Sequence, residues 1–436
     1  MPCFLFTSVH QNNSERCGLV PKKKSFNDVI IKNGMDVPFF IIMLIVLAAG
    51  LIMLLSASYI YSFHFSESGD SLYYFKRQAG IAVGGIFLMW LASHCNYRYL
   101  RYIALLGWGI SLVLLLVTVL RGGGDINRWI YIGPIGFQPS EVAKFFLIIY
   151  LAFGLDRDRK KVLSTKPSTA FWAVKINQLT NGAIKITSAT STLFFYAFVV
   201  AFTAGMVLVG SHLSGAILIM LIGVTMLWMG ECKASWFAIG GVVALIVLVY
   251  VIFNYEDLPL KEYMIERIRA WRIKDYQPDD ARWQINHSLY ALGSGGLLGA
   301  GIGNSKQKYL YVSECHTDFI FSIVGEELGF VGCVIILLLF AVLVWRGIYI
   351  GMRARDRFGA LLAFGMTAQL ALQVVFNIAV ITDTVPNTGI PLPFFSYGGT
   401  ALLITLAEMG VILSVSRQAD LKKIYSIKKE KTKKSS

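Results

Sequence analysis

Charge is what this sequence has least of. Of its 436 residues only 15% are Asp, Glu, Lys or Arg, while 56% are hydrophobic. A soluble globular chain carries roughly 25% charged and 45–50% apolar residues. The shortage excludes a disordered protein and argues against a soluble multidomain enzyme, and the mean hydropathy of +0.60 agrees. Cysteine supplies no framework. The six (Cys3, Cys17, Cys95, Cys232, Cys315 and Cys333) are scattered, with no Cys-x-x-Cys and no His at ligand spacing. Neither a disulfide scaffold nor a dedicated metal site follows. An internal repeat is also lacking, and with it the inverted-repeat signature of many secondary transporters. On a soluble chain the net charge of +14 would point to nucleic acid; on this one it has to be read segment by segment and implies none.

Long apolar runs are what the chain has instead. A helix needs about 20 mostly apolar residues to cross a bilayer. Ten runs qualify: Val37–Ile60, Ala79–Cys95, Tyr102–Leu120, Pro139–Leu155, Leu193–Val209, Ser214–Gly230, Trp236–Phe253, Asp318–Tyr349, Phe358–Thr382 and Phe394–Val415. The expectation is an all-α integral membrane protein with ten transmembrane helices, residues 37–417. Polar tails, 1–36 and 418–436, flank it. The first run is too long, and its polar tail too extended, for a signal peptide. Placing both termini in the cytoplasm puts 27 of the 40 Lys and Arg inside, as the positive-inside rule asks once the long 254–317 segment is discounted. That segment falls between the seventh and eighth spans. Its mixed aromatics and charges predict a folded extracytoplasmic loop with short amphipathic helices such as Leu260–Ile273.

Charged residues inside spans are costly and mark functional sites by default. Arg128-Trp129 precedes a fourth span that opens Gln138-Pro139-Ser140-Glu141-Val142-Ala143-Lys144. Pro139 suits the first helical position, and Glu141 and Lys144, three apart, share a face and can pair. They read equally as a structural ion pair or as a polar site for an anionic group. Asp318, Ser322, Gly325, Glu326 and Gly329 fall on one polar, small face of a single helix. Asp318 would sit at the outer membrane edge, as an N-cap or as a reactive carboxylate. An unpaired Glu326 or Glu327 deeper down would be protonated or bound to a cation. Pro386 to Thr400 holds three prolines in eight residues and Gly398-Gly399, so it cannot be regular helix. Irregular backbone at membrane depth lines a cavity or is buried in protein. His212 reads as a turn residue satisfied by its neighbours.

With these motifs the sequence resembles the SEDS family of bacterial shape, elongation, division and sporulation proteins. The likeness runs from about residue 36 to 418. It rests on Arg128-Trp129, Gln138 to Lys144, His316-Thr-Asp318-Phe-Ile-Phe321, Gly325 to Gly329, Thr388-Gly-Ile-Pro-Leu-Pro393 and Ser396-Tyr-Gly-Gly399. Gly301 to Lys308 and Gly410 to Arg417 are nearer the FtsW/SpoVE branch than RodA. The resemblance implies a glycosyltransferase of the bacterial cytoplasmic membrane that polymerises lipid II beside a class B penicillin-binding protein. Asp318 would be the catalytic base, and Arg128, Gln138, Glu141, Lys144, Ser396 and Gly398 would meet the substrate. A divalent cation, Mg or Mn, could assist. A flippase for the lipid-linked precursor, or a scaffold for the transpeptidase, are the alternatives. Small residues Ala360, Ala363 and Gly365 would either receive the partner's membrane helix against the eighth and ninth spans or pack only within the bundle.

Overall fold

The computed structural model describes residues 34–66, 69–120, 129–132, 135–179, 186–210, 212–258, 261–273 and 281–434, the last fifteen as backbone alone. Most of the chain is helix: α1 Val37–Phe65, α2 Tyr73–His94, α3 Leu100–Leu120, α4 Pro139–Arg157, the short α5 Arg159–Val162 and α6 Phe171–Leu179, α7 Ser188–Val209, α8 Leu213–Met229, α9 Ala234–Phe253, α10 Glu262–Arg272, α11 Ala281–Ser294, α12 Ile320–Met352, α13 Arg357–Ile381 and α14 Gly399–Lys434. A two-stranded hairpin, β1 Ile130–Ile132 with β2 Ile135–Phe137, leads into α4. Each of the ten apolar runs contains a helix, though not always over its whole length. Among the described residues seven helices are long and apolar enough to cross a membrane; α2, α4 and α8 fall outside that group. The chain is a multi-pass membrane protein.

Local chemistry sets the helix starts. Asp36 caps α1 by accepting from the Phe39 amide at 3.0 Å, with Pro38 in the first turn. Asp356 caps α13 through the Gly359 amide at 2.8 Å, and Thr187 caps α7. Each cap satisfies an amide that the first turn would leave orphaned. Packing is uneven. The most apolar stretch of α14 is 72% buried and that of α13 61%, whereas α9 has no buried residue. The core therefore sits among α4, α8, α13 and α14, and α9 lies at the periphery.

Three expectations are corrected. Asp318–Tyr349 is not one helix: α12 begins at Ile320, and Gly329 breaks it with φ 66° and ψ −169°. The break exists because residues 296–301 pair with it. The amides of Ala300 and Gly301 donate to the carbonyls of Glu326 and Glu327, and those of Phe330 and Val331 to Gly296 and Leu297. The last span starts at Gly399, not Phe394, since the prolines and Gly398 hold residues 385–398 out of helix. The helix of that span, α14, runs on into the basic tail as far as Lys434. Gly365 is interior: a Cβ there would lie 2.5 Å from Met226 Sδ and 2.7 Å from Ile148 Cγ2. With Ala360 and Ala363 also buried, this stripe packs against α4 and α8 and offers no open face to a partner helix.

Residues 1–33, which make up most of the N-terminal tail, lie outside the described residues. The 254–317 segment carries α10, matching the amphipathic helix expected there, and α11. Arg282 Nη1 meets Asp383 Oδ2 at 3.0 Å and Trp271 Nε1 donates to the Asp383 carbonyl at 3.1 Å, fastening this cap to the end of α13.

Candidate active site

The starts of α4, α8, α12 and α14, with α10 above them, surround a cavity of about 370 Å³. The β1–β2 hairpin delivers Gln138 to its wall, the Gln138 amide donating to Thr400 Oγ1 at 3.3 Å. One turn on, Lys144 Nζ donates to Glu141 Oε1 at 2.8 Å, both side chains almost fully buried. Glu141 lies in the first turn of α4, where a negative charge suits the helix dipole. His212 Nδ1 and Ser140 Oγ are 3.0 Å apart, so that histidine is satisfied as its turn position suggested.

Asp318 stands opposite, on the turn before α12. It is not the N-cap; Phe319 holds that position without a side-chain bond. The turn is held from behind. Asn377 Nδ2 donates to the carbonyls of Asp318 and Ile390, each at 2.8 Å. Ser396 Oγ donates to the Thr317 carbonyl at 2.6 Å and accepts from the Leu392 amide at 2.7 Å. The Tyr397 amide donates to the His316 carbonyl at 2.8 Å. Gln78 Nε2 and Oε1 bond the Ser396 carbonyl and the Gly398 amide at 3.1 and 3.2 Å. The proline-rich segment is thus clamped to the Asp318 turn rather than left as a loose connection. Gly389, at φ 66°, brings its backbone so near that a Cβ would come 2.9 Å from Asp318 Oδ2 and 3.8 Å from Arg267 Nη2.

Of the residues singled out from sequence, Gln138, Glu141, Lys144, Asp318 and Gly398 line the cavity together. Ser396 does not; its hydroxyl is used in the wall behind. Arg128 lies outside the described residues, although its neighbour Trp129 is on the wall. Sequence reasoning missed Arg267, which α10 presents to the cavity beside Asp318. Burial pushes this guanidinium below its ordinary value, and the Asp318 charge opposes that push. Its signal was available: Arg267 is on the inner face of the amphipathic helix. His316 points away into an aromatic cluster, 4.3 Å from the Tyr61 ring and 4.8 Å from Tyr74, where burial takes its pKa down to about 4.

Glu326 and Glu327, expected to be protonated or cation-bound if unpaired, are partnered. Lys308 Nζ lies 3.0 Å from Glu327 Oε1, which also accepts from Ser56 Oγ at 2.7 Å. Glu326 accepts from the Ser305 hydroxyl and from the amides of Lys306 and Gln307, the latter two at 2.8 and 3.2 Å. These carboxylates hold the 300–308 segment and belong to the scaffold.

Fold and site together define a polytopic helical membrane protein whose polar cavity opens at one end of the bundle, under a small helical cap. The chain belongs to the FtsW/RodA/SpoVE family, whose profile, described as "Cell cycle protein", matches residues 36–421. It is 36% identical over 391 residues to a protein named probable peptidoglycan glycosyltransferase FtsW from Geobacter sp. (strain M18), covering 88% of this chain and 97% of that one. It is 34% identical to stage V sporulation protein E of Bacillus subtilis (strain 168), covering 88% and 98%. A solved chain from a peptidoglycan synthase complex, studied for the coordination of polymerization and crosslinking, superposes with TM-score 0.65 at 25% identity, over 88% of this chain and 98% of that one.

Proposed function

We propose that this chain is a peptidoglycan glycosyltransferase that polymerises lipid II at the outer face of the cytoplasmic membrane, in cell division or sporulation. The observation that carries the reading is that Asp318 shares one cavity with two cations, Arg267 and the Glu141-paired Lys144, with Glu314 also on the wall. Glycosyl transfer from a lipid diphosphate makes those demands. The acceptor hydroxyl attacks the donor's anomeric carbon, the bond to the diphosphate oxygen breaks, and the diphosphate departs with the electron pair. Asp318 takes the hydroxyl proton, a role worth roughly 10²–10⁴ in rate. Lys144, Arg267 and, from the sequence, Arg128 face the charge that grows on the leaving group. Gln138 and Gly398 supply polar contacts, and Ser396 holds the Asp318 turn. Among the described residues no group of three or more His, Cys, Asp and Glu could hold a metal ion. A divalent cation, Mg or Mn, held by the diphosphate could take one or two of the carboxylates here, as Mg usually does.

The same reading has ten membrane spans, α2, α4 and α8 crossing beside the seven longer helices, the cap outside and both termini in the cytoplasm. Cross-linking falls to a separate class B penicillin-binding protein, a reading supported by the likeness to a chain of a peptidoglycan synthase complex. Purified full-length protein given lipid II and that partner tests the proposal. Glycan strands are expected from the wild type and none from Asp318→Asn at unchanged thermal stability. Strands from the variant would remove the base assignment. Lipid II crossing proteoliposomes without any strand formation would favour a flippase.

A further inference from the structure

At the end of the bundle opposite the cavity, the start of α1, the last turns of α12 and the Ser416–Ala419 turn of α14 enclose a pocket of about 300 Å³. One side of it is apolar, with Val37, Pro38 and Ile350. That side runs out into the exposed faces of α1 at Val37 and Ile41 and of α12 at Trp345 and Ile348. The other side is cationic. Arg346 grips Asp36 through Nε and Nη2 at 3.0 and 2.9 Å, which balances the one carboxylate among the described lining residues. Arg353 remains as surplus charge. Among the described residues no carboxylate pairs with it; its guanidinium lies 4.1 Å from the centre of the Tyr349 ring, which Arg346 also covers at 4.6 Å.

We propose that this pocket binds the phosphate of an anionic phospholipid, with the acyl chains lying along the exposed faces of α1 and α12. A basic pocket between helices at the membrane edge has the chemistry for such headgroups. Tyrosine is the residue expected at that depth. A cation at the end of α12 also suits the helix dipole, but the dipole requires neither a pocket nor a second guanidinium on the same ring. The chain's own tails are excluded as occupants by their sign. Residues 1–34 carry five Lys and Arg against Glu15 and Asp28, and residues 420–436 carry seven Lys against Asp420 and Glu430. The site shares no residue with the cavity around Asp318, so it stands independently of the proposed reaction.

The test takes the full-length protein in an uncharged detergent and follows thermal unfolding with added phosphatidylglycerol, phosphatidylcholine or inorganic phosphate. Phosphatidylglycerol alone is expected to raise the unfolding temperature. Arg353→Gln is expected to weaken its apparent affinity about five-fold, the share of a single interfacial cation, and to unfold like the wild type when no lipid is added. Should that variant not fold, Tyr349→Leu removes the ring that orients both guanidiniums and is measured in the same way. Equal protection by inorganic phosphate would assign the pocket to a soluble anion. That outcome, or an undiminished phosphatidylglycerol response in the variant, overturns the proposal.

Discussion

Lys308 and Glu327 show what a buried charge requires of its neighbours. Their side chains are 5% and 0% exposed, and each ion taken from water costs several kcal/mol that only its partner and added hydrogen bonds recover. Ser56 and the Gly303 carbonyl complete that set around the Lys308 ammonium. Lys308→Met strips the buried Glu327 of its cation and is expected to cost about 3–5 kcal/mol, read from thermal or denaturant unfolding in detergent. Adding Glu327→Leu should restore most of it; an unaltered single variant would show that the pair bears no weight. Sequence made one ion pair legible and hid the other for the same reason. Glu141 and Lys144 are three apart on one helix, so spacing alone joins them. Lys308 reaches Glu327 across 19 residues and a loop, and Arg267 meets Asp318 only because α10 folds back over the bundle. No local period encodes such meetings.

Among the elements, α12 departs furthest from what its sequence suggests. Hydropathy placed a helix in each apolar run, seven of them among the described residues long and apolar enough to cross a membrane, since an apolar run of that length has no other stable form in lipid. It could not reveal the break at Gly329, because a glycine inside a helical pattern is usually tolerated. The break depends on two chains meeting. A Cβ at Gly329 would collide with the Gly299 amide and lie 2.7 Å from the Leu297 carbonyl, at a φ of 66° that side chains rarely adopt. Gly329→Ala is therefore expected to lose about 1–3 kcal/mol from backbone strain alone and to lower unfolding temperature and strand synthesis together. Gly240→Ala, in α9 with nothing within 4 Å, is the control and should change neither. Equal behaviour of the two would mean that the break tolerates a side chain.

For the whole molecule, burial separates the surfaces that build the bundle from those left for lipid or partners. The small residues of α13 belong to the first kind. Gly365→Leu should overpack the junction of α13 with α4 and α8 at about 1–3 kcal/mol, lowering the isolated protein's unfolding temperature whether or not a transpeptidase is present. A variant that unfolds like the wild type but no longer co-purifies with the transpeptidase would return Gly365 to the surface. Exposed apolar side chains are concentrated elsewhere, on α3, on α9 and along Phe330, Ile335, Leu338 and Trp345 of α12. A partner helix has those faces to choose from.

The bareness of α9 has a mechanical side. Past its first turn, where Trp236 and Phe237 meet Phe194 and Trp228 with ring centres 5.0 and 5.2 Å apart, sideways movement through the bilayer uncovers no cavity and brings no apolar surface into water. The helix is tied at its two ends, to the bundle and to the cap, and bare between them. The stance of Arg267 over Asp318 is then governed from both ends of the cap, by Trp271 and Arg282 on Asp383 and by Arg272 on the Ile252 carbonyl at 3.2 Å.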